Sequence, residues 1–166
     1  VTGDGQGTPA QSASGDPYTR LAGLGLTLPS VAAPLAAYVP AVQSGSHVYV
    51  SGQLPLVDGA LMATGKVGAE VSPEQGVHFA QRCALNALAA IDALVGLARV
   101  VRVVKLVGFV ASAPGFTGQP GVVNGASELL GAVFGAAGQH ARSAVGVAEL
   151  PLGAPVEVEL IVEISS

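Results

Sequence analysis

Residues 100–112 read VVRVVKLVGFVAS, a β-branched run with apolar side chains at both odd and even positions. Successive strand residues point to opposite faces, so a half-exposed strand alternates apolar with polar. A strand apolar in both parities is covered on both faces. The pattern elsewhere supplies only two long amphipathic helices, and two helices cover one face of a sheet. The second face therefore needs other cover. The composition points the same way. Half of the 166 residues are hydrophobic and only 11% are charged, against about 25% in ordinary globular chains. So few charges leave apolar surface that a subunit interface would bury.

Asp16-Pro17 is suited to start a short helix that Gly25 ends, with Leu21 and Leu24 on one face. A linker runs from Leu28-Pro29 to Pro34. Residues 47–53 read as a strand that continues past Pro55 through residue 57. Asp58-Gly59 then signals a tight hairpin with a short return strand over residues 60–63. Ser72-Pro73-Glu74-Gln75 is a capping box with proline at the first helical position. Val77, Ala80, Ala84, Leu88, Ile91 and Val95 follow at helical spacing, and Gly96 closes the helix. A second helix is expected from about Pro120 to Phe134, with Val122, Ala126, Leu129, Leu130 and Val133 inward. Two final strands, about 142–150 and 155–164, flank a Pro-Leu-Gly-Ala-Pro turn and read as a hairpin. The expected class is α+β, with two helices on one face of a single, mostly antiparallel sheet.

Several function classes are disfavoured. The net charge is −4 with no basic cluster, so no nucleic-acid partner is expected. Cys83 is alone, and His47, His78 and His140 are scattered, which gives neither a disulfide framework nor metal-ligand spacing. Cys83 falls in the apolar part of a helix and reads as inert core. Residues 1–16 are polar and small and read as a disordered tail. No apolar run approaches the ~20 residues of a membrane span, so no membrane partner is expected and a cytoplasmic protein is.

The residue that stands out is Arg142. It sits at the mouth of a strand that is otherwise uncharged up to Glu149. A guanidinium in so apolar a segment needs a partner. Two readings are open: a structural ion pair with Glu157 or Glu159, or a fork that grips the carboxylate of a ligand. Glu157, Glu159 and Glu163 alternate with period two and so share one face of their strand. Arg102 and Lys105 flank a strand and read as structural. A plain hairpin centred on Leu152-Gly153 would set Arg142 opposite about Glu163 and Glu157 opposite about Ala148. The two would then lie ~20 Å apart at ~3.3 Å per residue, beyond the reach of one small substrate.

Taken together, several segments resemble the reactive intermediate deaminase (Rid, YjgF-like) family. They are Tyr38-Val39, Val50-Ser51-Gly52-Gln53-Leu54-Pro55, Gly65-Lys66-Val67-Gly68, Cys83-Ala84-Leu85-Asn86 and Val104-Lys105-Leu106-Val107-Gly108-Phe109-Val110. The series continues with Val123-Asn124, Phe134-Gly135, Ala141-Arg142-Ser143, and Leu150-Pro151 ahead of Val156-Glu157-Val158-Glu159. These cover residues 36–164, and the stretch from Leu21 to Pro29 lies outside them, as an added N-terminal helix. The division is then a tail over 1–16, a helix and linker over 17–35, and a Rid-like domain over 36–166.

The resemblance implies a chorismate-mutase-like subunit and a homotrimer whose sheets form a central β-barrel with ligand clefts between subunits. It implies hydrolysis of enamine or imine acids to 2-keto acids and ammonia, with no metal or organic cofactor. By position, Arg142 matches the arginine that binds the substrate carboxylate, and Glu157 the glutamate that orients water. Tyr38, Ser51, Gly52, Asn124 and Ala144 match residues lining the cleft, Ala144 standing where cysteine is frequent. Each has a plainer structural reading: Tyr38 as a rim residue, Ser51-Gly52 as a β-bulge, Asn124 as a loop or cap partner, Glu157 as a solvent-facing carboxylate. Three functions follow: an imine deaminase, a non-catalytic binder of small carboxylic acids using the same cleft, and a nuclease or translation inhibitor. The last is disfavoured by the lack of a basic groove and stacking aromatics.

Overall fold

In the computed structural model, residues 15–31 and 37–166 are described. The tail expectation falls on residues outside that range except at its end. There Asp16 accepts hydrogen bonds from the amides of Tyr18 and Thr19 and caps helix α1 (Pro17–Gly23). The linker expectation over residues 32–34 also lies outside the described residues.

The remaining elements follow in the order β1 (Ala41–Ser44), β2 (His47–Gln53), β3 (Leu56–Val57), β4 (Ala60–Leu61), α2 (Pro73–Val95), β5 (Val100–Ala111), α3 (Gln119–Phe134), β6 (Ala141–Val147) and β7 (Val156–Ile164). Helix α2 starts with the capping box read from sequence: the Gln75 amide donates to Ser72 Oγ at 3.2 Å and the Ser72 amide to Gln75 Oε1 at 2.9 Å. It is buried almost all round between Cys83 and Ile91, because α3 lies on one side and β7 and β2 on another. Each large aliphatic side chain fully buried there, such as Leu88 or Ile91, contributes roughly 1.5–3 kcal/mol.

The main sheet has strand order β1-β2-β7-β5-β6, and β3-β4 form a separate two-stranded hairpin. Three corrections to the sequence reading follow. Strand β2 stops at Gln53 rather than running past Pro55, and Leu56–Val57 pairs only with Ala60–Leu61. Strand β1 was not expected; it is four residues long and turns back at Gly45, whose φ of 57° suits glycine. Most consequential, β6 and β7 are not a hairpin. Strand β6 pairs parallel with β5, and β7 runs antiparallel between β2 and β5. The sheet is therefore mixed. The unit β5-α3-β6 is a crossover connection, in which a helix carries the chain back so that two strands can run side by side.

Both α2 and α3 pack on one sheet face. Under them lie Val48, Val103, Leu106, Val158, Leu160 and Val162, none more than 1% exposed. The other face is open. It presents Val42, Tyr49 and Val145, each more than 40% exposed, in rows with Ile161, Lys105, Phe109 and Glu157. Among the described residues, no helix is long and apolar enough to cross a membrane.

Candidate functional site

The expected site residues fall into two clusters. The first joins β6 to α3. Arg142 lies beside Leu106 in the parallel ladder, so it shares that residue's face and points under the helices. Its Nη1 donates to Asn124 Oδ1 at 2.7 Å and to Ser127 Oγ at 3.1 Å, both on α3. Ala144, two residues on, lies on the same face beside Gly108 and packs against the core. Gly108 is what allows α3 to come this close, since a Cβ there would collide with Val123. The approach of Val123 to the sheet brings Asn124 and Ser127 within reach of the guanidinium.

The ion-pair reading of Arg142 is overturned. Among the described residues the one salt bridge joins Lys66 Nζ to Glu149 Oε1 at 2.8 Å, and the partners of Arg142 are two neutral oxygens. Arg142 carries its charge without a carboxylate because Glu157 and Glu159 occupy the other face. Leu106 marks the row of Arg142 and Phe109 the row of Glu157. Three residues along one strand reverse the side-chain direction.

The second cluster surrounds Glu157. Strand β2 carries an extra residue between Val50 and Gln53 relative to β7, a β-bulge formed by Ser51 and Gly52. A Cβ on Gly52 would overlap the Glu157 carboxylate, so glycine is what lets that side chain fold across β2. Ser51 Oγ donates to the Val39 carbonyl at 2.7 Å, which ties the segment carrying the exposed Tyr38 to the bulge. Burial raises the Glu157 carboxyl above its usual range, and the charge of nearby Glu159 adds to this. A carboxyl so shifted keeps its proton to higher pH than a solvated one.

A shallow open-face depression of about 260 Å³ lies beside this cluster, lined by Tyr49, Ser51, Lys105, Val107, Glu159 and Ile161. Lys105 Nζ donates there to Ser143 Oγ at 3.1 Å. The depression includes neither Arg142 nor Glu157. Cys83 is fully buried, and burial drives its thiol well above the ordinary range, which removes it from chemistry.

Two residues that the sequence did not mark as site residues belong to the arginine cluster. Ser127 follows Asn124 by three residues on α3, so both lie on one helix face. His140 precedes Arg142 by two. Its Nε2 lies 3.0 Å from Ser127 Oγ and its Nδ1 2.6 Å from the Gly138 carbonyl. The spacings Asn-x-x-Ser and His-x-Arg were the available signal. Among the described residues no group of His, Cys, Asp and Glu is arranged to hold a metal ion.

Comparison with known proteins agrees with this architecture. A family described as "YjgF/chorismate_mutase-like, putative endoribonuclease" matches residues 18–164, a span that begins inside α1. Protein TCP17 of Trypanosoma cruzi is 49% identical over 156 residues, 93% of this chain and 98% of its own. The crystal structure of protein Atu1372 from Agrobacterium tumefaciens superposes with a TM-score of 0.84 at 47% identity, over 90% of this chain and 92% of that one. RidA from an Antarctic Psychrobacter superposes with a TM-score of 0.58 at 30% identity, over 81% and 94%.

Proposed function

This chain belongs to the YjgF/chorismate-mutase-like family, which includes RidA, and from that premise we propose that it is a hydrolytic deaminase of reactive enamine and imine acids. The products are a 2-keto acid and ammonia. The observation that carries the reading is Arg142: a guanidinium held by two neutral oxygens, with no carboxylate beside it among the described residues. Such a group is ready for an external carboxylate. In the proposed reaction Arg142 fixes the substrate carboxylate and Glu157 accepts a proton from water as the oxygen adds to the imine carbon. Glu157 returns that proton to the nitrogen, which completes a carbinolamine; its hydroxyl proton then passes to the nitrogen as the C–N bond breaks, and the keto acid and ammonia leave. The imine carbon is already electrophilic, so placing the water supplies much of the effect. Neither step calls on a metal or an organic cofactor.

Arg142 and Glu157 face opposite sides of the sheet in one chain, so the proposal requires adjoining subunits. A homotrimer, its open faces forming a central barrel, would bring Arg142, Asn124 and Ala144 of one chain toward Tyr38, Ser51, Gly52 and Glu157 of the next. The uncovered apolar face supports such an assembly. The proposed setting is the cytoplasm. A net charge of −4 disfavours an RNA substrate despite the family description.

A second reading has its own support. Because a single chain presents the arginine grip without the glutamate, the fold could bind small carboxylic acids and do no chemistry. Ammonia release from a freshly generated imino acid decides between them. Acceleration by the protein, lost in Glu157→Gln, supports the deaminase. Keto-acid binding without acceleration leaves the binder.

A further inference from the structure

We infer that Ser127 and His140 are positioning residues for Arg142, and that they leave its Nε–Nη2 edge as the one that meets a carboxylate. The inference rests on the reading that Arg142 grips a ligand carboxylate, and it says which edge does so and what holds it there.

With His140 neutral, the chain of donors has one consistent direction. A carbonyl oxygen only accepts, so the 2.6 Å contact with Gly138 requires the proton of a neutral His140 to be on Nδ1. Nε2 is then an acceptor and takes the Ser127 hydroxyl proton across 3.0 Å. With its proton turned toward the histidine, Ser127 Oγ faces Arg142 with a lone pair and receives Nη1–H at 3.1 Å. The other Nη1 hydrogen goes to Asn124 Oδ1 at 2.7 Å. An Nη nitrogen has two hydrogens, so Nη1 is fully used. Nε and Nη2 have no partner among the described residues, and their hydrogens point along one edge of the guanidinium. That edge matches the two oxygens of a single carboxylate.

The arrangement also explains why a hydroxyl and an imidazole stand there. Ser127 alone could rotate its proton toward Arg142 and cease to accept. His140 removes that choice, and the Gly138 carbonyl in turn fixes the histidine. Gly138 is itself held tightly: a Cβ on it would strike the Leu130 carbonyl of α3.

The experiment has a part that needs no substrate. In ¹⁵N spectra of the assembled protein, His140 should show a protonated Nδ1 and an unprotonated Nε2. The Arg142 Nη signals should be separate, because two hydrogen bonds slow rotation, and should merge in Ser127→Ala. The opposite tautomer, or Arg142 signals indifferent to Ser127→Ala, would overturn the inference. In the second part, pyruvate binding is measured by calorimetry. Ser127→Ala and His140→Phe should weaken it by roughly tenfold or more, the cost of losing a hydrogen bond to a charged group. Ser127→Thr, which keeps the hydroxyl, should stay near wild type, and thermal melting should be unchanged in all three. If Arg142→Ala abolishes binding while Ser127→Ala and His140→Phe do not weaken it, Ser127 and His140 do not position the arginine. If the wild-type protein binds no keto acid, the proposed function fails, and the ¹⁵N spectra alone decide whether Ser127 and His140 hold Arg142.

Discussion

The two faces of the sheet carry one unneutralised site charge each, and they treat it differently. On the helix-covered face, Arg142 is gripped by Asn124 and Ser127 and its position is fixed by hydrogen bonds. On the open face, Glu157 is half-buried, its carboxyl raised by burial and by Glu159. The covered face completes its own packing. Val158 and Leu160 there are at most 1% exposed, whereas Tyr49 on the open face is 43% exposed. In the proposed reaction this fixed cation and this desolvated anion, neither with an opposite charge beside it among the described residues, are two halves of a site on opposite sides of one sheet. The difference teaches that the isolated subunit leaves one sheet face unpacked and, on the proposed function, that the same face is where its chemistry would be completed.

The contrast is broken most severely by placing a carboxylate on each face. Val158→Asp buries an unpaired charge in the core and should cost at least about 4 kcal/mol, enough to leave no cooperative unfolding transition by circular dichroism. Val107→Asp, on the open face, should fold. The wild-type protein should sediment as three chains and Val107→Asp as one. Wild-type protein that is a clean monomer, or Val107→Asp that remains assembled, would remove the interface reading of the open face.

Next in size is the loss of the arginine. Arg142→Ala should weaken binding of small 2-keto acids by about 2–5 kcal/mol while leaving assembly intact, measured by calorimetry and sedimentation. Unchanged binding would make Arg142 structural despite its lack of an acidic partner.

How much of this was legible depended on how local each signal was. The capping box at Ser72 and Gln75, the stop at Gly96 and the alternation of Val156–Ile164 involve neighbours within one turn or one strand, and they were read correctly. The alternation also showed that Glu157, Glu159 and Glu163 share a face. The pairing of β6 was misread because a Pro-Gly turn between two strands resembles a hairpin, and nothing local announces that α3 has returned the chain parallel to β5. The parallel pairing of β6 decides how Arg142 and Glu157 are related. The sequence reading separated them along a ladder; in the structure it is the sheet itself that stands between them. Ser127 escaped notice because its role depends on a contact 15 residues away, across a helix–strand boundary that sequence spacing does not report. Strand β1 escaped because four residues with one β-branched side chain make too short a pattern.

The opposed faces also predict complementation. If Arg142 of one chain works with Glu157 of the next, an inactive Arg142→Ala protein and an inactive Glu157→Ala protein, dissociated and reassembled together in equal amounts, should regain activity. Random closed trimers would contain about one intact site in four, so ammonia release should recover to about a quarter of wild type. No recovery, with hybrids confirmed by mass, would place the site within one chain or deny that the residues act as a pair.

The smallest effect sharpens the comparison at the open face alone. Glu157 has a folded pKa raised above its unfolded value, so the native state holds this proton more tightly than the unfolded chain does. Between those two values stability falls as pH rises, and above the folded value the full penalty remains. Glu157→Gln removes the titration. Its stability relative to wild type should therefore be close to zero difference in acid, grow as pH rises through that window, and stay constant at neutral pH with the variant the more stable. Thermal melts of both proteins in acidic and neutral buffers measure this directly. A variant of Glu157 that is less stable than wild type at neutral pH would mean that the carboxylate has found a cation in the assembly. That cation would then have to come from a neighbouring subunit, because the Glu157 carboxylate has no cationic partner within its own chain among the described residues.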